Sequence, residues 1–184
     1  MKKEIPPPKK YGGRIPCDFY RTKGVGFSDH DHHTGSYHQA LYNAGIADFN
    51  IIGYSSMLAR ESREIQRPME NHRGQVMEVI MSSVTVGKGE LGICGIKWAK
   101  IMDRETGLPA GGIVVERSLT GTTDDALMAE ELGRALVEVY QNGFMEKYDI
   151  TTSDIIIEKV YSDKKYGTAL CCLCFTSFIF PEIS

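Results

Sequence analysis

The sequence predicts an α+β fold, a layered αββα sandwich in which two helices cover mostly antiparallel sheets. Three observations lead there. Six or more segments carry the alternation or β-branched enrichment of strands. Only two segments keep helical spacing, a short one after residue 36 and a long one after residue 123. The elements run strand, helix, strand, several strands, helix, two strands, an order that sets helices over a sheet core.

Residues 1–16, rich in Lys, Pro and Gly, are expected to form a mobile arm, and 17–184 a single domain. Asp18 to Phe27 reads as a strand and the polar stretch Ser28 to His33 as a loop. Thr34-Gly35-Ser36 offers an N-cap for a helix over Tyr37 to Asn43, which Gly45 can stop in a left-handed conformation. Phe49 to Ser56 returns as a strand. Val76 to Val86, Leu91 to Met102 and Leu108 to Ser118 follow as strands, joined by turns at Gly87-Lys88-Gly89 and Asp103 to Gly107. Thr122 or Thr123 caps the long helix, with Asp124 and Asp125 in its first turn, and Asn142-Gly143 ends it. Ile155 to Tyr161 and Thr168 to Phe180 close the chain as strands.

Composition narrows the function. A net charge of −3 with no basic stripe argues against a nucleic-acid partner. No apolar run approaches the roughly 20 residues that cross a bilayer, so no membrane partner is expected. Lysines and Pro6-Pro7-Pro8 at the amino terminus lack the apolar stretch of a secretion signal, and the expected compartment is the cytoplasm. Cys17, Cys94, Cys171, Cys172 and Cys174 read as buried thiols, because strand alternation sends Cys171 and Cys172 to opposite faces. No metal is expected. Asp29, His30, Asp31, His32 and His33 have no distant cysteine or carboxylate paired with them and read as a solvated loop, or as the lining of a substrate entrance.

Two adjacent serines, Ser55-Ser56, end the apolar run Asn50-Ile51-Ile52-Gly53-Tyr54. Alone, such a pair reads as an ordinary strand-ending turn. A serine hydroxyl can also attack the carbonyl of the residue before it, so the pair is a candidate site of self-cleavage. Glu116, which alternation places on the same face as Val114, reads either as a solvent-facing strand glutamate or as a half-buried acid.

The stretch Gly35 to Ser56 resembles the pyruvoyl-dependent arginine decarboxylases, in which a short helix ends in Ala-Gly-Ile, a strand begins at Asn and the chain is cut between two serines. The resemblance continues through Met77-Glu78-Val79-Ile80-Met81, Gly111-Gly112-Ile113-Val114-Val115-Glu116, Tyr140 to Phe144 and Gly167 to Cys171. It implies a cut between Ser55 and Ser56, leaving a fragment of residues 1–55 and one of residues 56–184. It further implies that Ser56 becomes a covalent pyruvoyl cofactor and that Asn50 assists the cut. Glu116 is implied as the proton donor in catalysis, with its pKa raised by burial. Trimers of cleaved protomers are implied as well, with Glu116 serving a pyruvoyl group across the interface between neighbours.

The same resemblance implies L-arginine as the small-molecule substrate and agmatine and CO2 as products. Ser55, His38 and Asp31 are the expected substrate-binding residues. Best-known members carry an aspartate early in the short helix against the guanidinium, and His38 stands there. Imidazole cannot supply that charge-assisted pair, so Asp29 or Asp31 is left to provide the charge. A decarboxylase for another amino acid, or a non-processing relative acting as a binding or regulatory subunit, are the alternatives.

Overall fold

Two sheets stack face to face, each with one helix on its outer side, in a computed structural model that describes residues 12–30, 32–68 and 73–182. The first sheet runs β3 (Asn50–Gly53), β6 (Val76–Gly87), β10 (Tyr166–Phe175), β2 (Asp18–Ser28), β5 (Arg63–Glu64). Its long strands pair antiparallel, and the short edge strands β3 and β5 run parallel to their neighbours. The second sheet is antiparallel throughout, in the order β4 (Met57–Leu58), β8 (Pro109–Thr120), β7 (Leu91–Asp103), β9 (Tyr148–Tyr161). The layers are thus those of an αββα sandwich.

Three apolar clusters separate the layers. Strand β10 is buried on both faces, and alternation divides its side chains as expected. Cys171, Leu173 and Phe175 meet Ile80, Ile96 and Val114 between the sheets. Leu170, Cys172 and Cys174 lie with Ala40, Leu41 and Ile46 under α1 (Thr34–Asn43). Met128, Leu132 and Leu136 of α2 (Asp125–Gly143) cover Ile93, Ile113 and Val115. The five cysteines are free and buried.

Helix α1 lies directly on β2 because two glycines leave room for its backbone. A Cβ at Gly24 or Gly26 would come within 2.2 Å of the carbonyl oxygen of Ala40 or Ser36, respectively. Gly45, at φ +72°, stops the helix as expected, with Ile46 N–H on the Leu41 carbonyl at 2.9 Å.

Several boundaries differ from the sequence expectation. Strand β3 ends at Gly53 rather than Ser56, because the chain leaves the first sheet there and re-enters pairing as β4 in the second. The final strand breaks at Thr176-Ser177, where the chain turns to pair β11 (Phe178–Ile179) with β1 (Ile15–Pro16). The cap of α2 is Asp124, whose carboxylate accepts from Ala126 N–H and Leu127 N–H; Thr122 instead accepts from Asp124 N–H. Helix α1 begins at Thr34 with no side-chain cap, because Ser36 turns its hydroxyl to the His33 carbonyl and to Thr168. Of the expected arm, residues 1–11 lie outside the described residues. No described helix is long and apolar enough to cross a membrane.

Candidate active site

The Ser55–Ser56 bond lies where the chain passes from the edge of one sheet to the edge of the other. Tyr54 N–H still donates to Val79 of β6 at 2.7 Å, while the Ser56 carbonyl already accepts from Val114 of β8 at 3.0 Å. The register then sets the chemistry. Met57 and Leu58 oppose Ile113 and Gly112, so Ser56 falls opposite Val114 and diagonal to Glu116 on one face of the sheet. The Ser56 hydroxyl accordingly donates to the Glu116 carboxylate, with Oγ 2.8 Å from Oε2 and 3.0 Å from Oε1. This contact forms within one chain. Met57 N–H donates to the Ser55 carbonyl at 2.8 Å, a three-residue turn centred on Ser56. A nucleophile, a carboxylate on its proton and an N–H on the adjacent carbonyl oxygen thus meet at one peptide bond.

A cleft of about 530 Å³ opens beside them, lined among others by Ser55, Ser56, Val114, Glu116, Glu138 and Asn142. It exists because β4 is only two residues long and leaves the outer edge of β8 uncovered beyond Ile113. The carboxyl-terminal half of α2 contributes Ala135, Glu138, Val139, Asn142 and Gly143 to its lining. Glu116 is half-buried there. Burial raises its pKa above the ordinary carboxylate value, against the smaller lowering effect of the Ser56 hydroxyl donating to it.

A second acid fixes the segment before the bond. Glu78 on β6 is only 2% exposed, and its carboxylate holds both the Tyr54 hydroxyl and the Arg14 guanidinium. The Tyr54 ring packs on Phe175 at 5.6 Å, and Arg14 lies over Phe178 at 5.4 Å. Sequence reasoning did not assign these residues a role; the available signal was one glutamate inside the apolar run Val76 to Met81. Tyr54→Phe keeps the ring but removes a donor from a buried carboxylate, a loss of about 1–3 kcal/mol. It is expected to lower the melting temperature and to slow any cut at Ser55–Ser56. A wild-type time course on denaturing gels would exclude a positioning role for the Tyr54 hydroxyl.

A family model described as pyruvoyl-dependent arginine decarboxylase matches residues 18–180. The chain belongs to the pyruvoyl-dependent arginine decarboxylase family. The pyruvoyl-dependent arginine decarboxylase AaxB of Chlamydia trachomatis serovar D is 36% identical over 105 residues, covering 49% of this chain and 54% of the relative. The protein of the same name from Chlamydia muridarum is 35% identical over 105 residues, with the same coverage. The chain therefore spans about half the length of the curated relatives it matches.

Within this member of the pyruvoyl-dependent arginine decarboxylase family, the remaining candidate residues do not gather at the cleft. Asn50 begins β3, and its side-chain amide donates to the Gly74 carbonyl at 2.8 Å. Three residues of extended strand separate it from Gly53, roughly 10 Å at about 3.3 Å each. His38 projects from α1 on the opposite outer face of the sandwich, into an open depression with Asp29, His30, Gln39, Tyr42 and Lys164. Asp29 is paired there with Lys164 at 2.9 Å, which holds its carboxyl below the usual carboxylate range. Asp31 lies outside the described residues. Among the described residues no cluster of three or more His, Cys, Asp or Glu is placed to hold a metal ion.

Proposed function

We propose that this chain cuts itself between Ser55 and Ser56 and then decarboxylates L-arginine to agmatine and CO2. The observation that carries this reading is the Ser56 hydroxyl on both oxygens of Glu116, beside a Ser55 carbonyl that accepts from Met57 N–H. The Glu116 oxygens orient the Ser56 hydroxyl as Oγ attacks the Ser55 carbonyl carbon, and the hydroxyl proton passes to the departing peptide nitrogen. Met57 N–H stabilises the negative charge that gathers on the Ser55 oxygen. The C–N bond of the peptide breaks, its nitrogen takes up that proton, and an ester joins Ser55 to the Ser56 side chain. Loss of the Ser56 Cα proton then breaks the Cβ–O bond and frees residues 1–55 with a terminal carboxylate. Water replaces the Ser56 nitrogen, released as ammonia, and a ketone caps residues 56–184.

Residue 56 fits such a group, because it lines the open cleft beside the buried side chains of Val114 and Val115. When present, the pyruvoyl ketone supplies a carbonyl for the substrate α-amine and a sink for the electrons left by CO2. Glu116, whose pKa burial raises, returns a proton to the substrate α-carbon. Val114 and Val115 limit water at that face of the cleft. Assembly as a trimer of cleaved protomers, with His38 and Asp31 serving a neighbouring site and Asn50 assisting the cut, is part of the proposal. The exposed apolar side chains Met57 and Val139 beside the cleft suit such an interface. Five free buried thiols accord with the cytoplasm.

Intact-mass measurement of the purified protein tests the first step. Two fragments are expected, residues 1–55 and a 56–184 fragment blocked at its amino terminus. A single uncut chain under all conditions removes the enzyme reading. Release of CO2 across a panel of amino acids then tests arginine against its competitors.

A further inference from the structure

We infer that Glu138 selects a substrate with a cationic side chain at this cleft, its carboxylate acting as the counter-ion of the distal group. The inference rests on the reading of Ser56 as the reacting residue. Helix α2 turns Ala135, Glu138, Val139 and Asn142 to the cleft, the spacing i, i+3, i+4, i+7 of one helix face. That face lines the same cleft as Ser56 and Glu116, so one space holds both the reacting residues and a helix wall.

The charged groups of the cleft are Glu116, Arg117 and Glu138. Glu116 holds the Ser56 hydroxyl, and the Arg117 guanidinium donates to the Glu116 carbonyl at 3.2 Å. The other acids of α2 are engaged: Asp125 with Lys159 at 2.7 Å, and Glu130 and Glu131 with Arg134. Glu138 has neither an ion pair nor a hydrogen bond among the described residues. It is the cleft's unpaired anion.

Its neighbours describe the rest of the ligand. Ala135 and Val139 present methyl groups suited to an aliphatic stem. Asn142 lies one helical turn from Glu138, about 6 Å away along the axis, and offers a carbonyl oxygen beside the carboxylate. A guanidinium carries five donors in a planar fork and can satisfy both groups, whereas an ammonium is a compact point charge. The wall therefore favours an α-amino acid ending in a guanidinium. It also supplies the acid that the His38 position lacks.

The test is a calorimetric titration into the uncut Ser56→Ala chain, with L-arginine and with its uncharged isostere L-citrulline. Adding Glu138→Gln is expected to weaken arginine binding roughly 10- to 100-fold, the range for a hydrogen bond to a charged group. Citrulline binding should be unmoved, and Glu138→Asp should recover part of the loss. Arginine binding that is equal with and without Glu138→Gln, or undetectable in both, overturns the inference. So does an equal loss for both ligands, or a loss that follows His38→Ala instead. Decarboxylation by the unsubstituted protein is read separately. CO2 release with Glu138-independent binding rejects the inference alone. Glu138-dependent binding without CO2 release from arginine rejects the proposed reaction alone.

Discussion

Ser56→Ala is expected to give one uncut 184-residue chain with no decarboxylase activity. Alanine has no Oγ, so neither the attack on the Ser55 carbonyl nor the later elimination has an atom to use. The fold should survive. Ser56 is only part-buried in its contact with Glu116, and loss of an ordinary hydrogen bond costs about 1 kcal/mol. Denaturing electrophoresis and intact mass provide the measurement, with a melting curve as the control for folding. A cut at the same bond in the alanine variant would place the nucleophile elsewhere.

Glu116→Gln should separate the two steps. The glutamine carbonyl oxygen can still accept from the Ser56 hydroxyl and orient it, so the cut should run to completion. Proton return to the substrate has no donor of comparable acidity, and the decarboxylation rate should fall by about 10²–10⁴-fold. The pH profile gives the sign. Burial raises the Glu116 pKa, so the protonated acid persists above the ordinary carboxylate range and is lost as pH rises through the raised value. Decarboxylation is expected to fall along that limb, and residual activity in Glu116→Gln should not show it. Turnover near wild type in the variant would remove Glu116 from the role of donor.

Strand positions were legible in the sequence wherever one face is buried, because alternation then marks the register. It failed at β9, whose first half, Tyr148 to Asp154, is largely exposed and carries no apolar rhythm. It failed again at Gly53, since Ile51-Ile52-Gly53-Tyr54 gives no local sign that the chain changes sheets. That change depends on β6 and β8 offering open edges side by side, a tertiary fact. The resemblance implied Glu116 serving a pyruvoyl group across an interface; its contact with Ser56 of the same chain follows from a register that only the folded chain displays. Glu78 was read only as part of a family-like apolar strand, with no role of its own. Glu138 escaped because an acid on the polar face of a helix looks like solvated surface until the cleft beneath it is seen. His38 and Asn50 were chosen by matching positions; His38 is separated from the cleft because the two helices lie on opposite outer faces, and Asn50 because it starts β3, three residues before the strand ends.

The chain's passage from sheet to sheet at Gly53 to Met57 gives a cut there an unusual outcome. Fragment 1–55 would carry β2, which sits between β10 and β5, paired with β10 from Phe19 opposite Phe175 to Ser28 opposite Tyr166. It would also carry α1, most of that face's cover, and β3, while the second sheet would belong wholly to the larger fragment. The cut protein is then a heterodimer interleaved within one core. Its unfolding would release two separate chains, so its apparent stability would rise with protein concentration, whereas that of the uncut chain would not. Refolding after the cut would be second order, and the smaller chain would have no complete sheet on which to fold by itself.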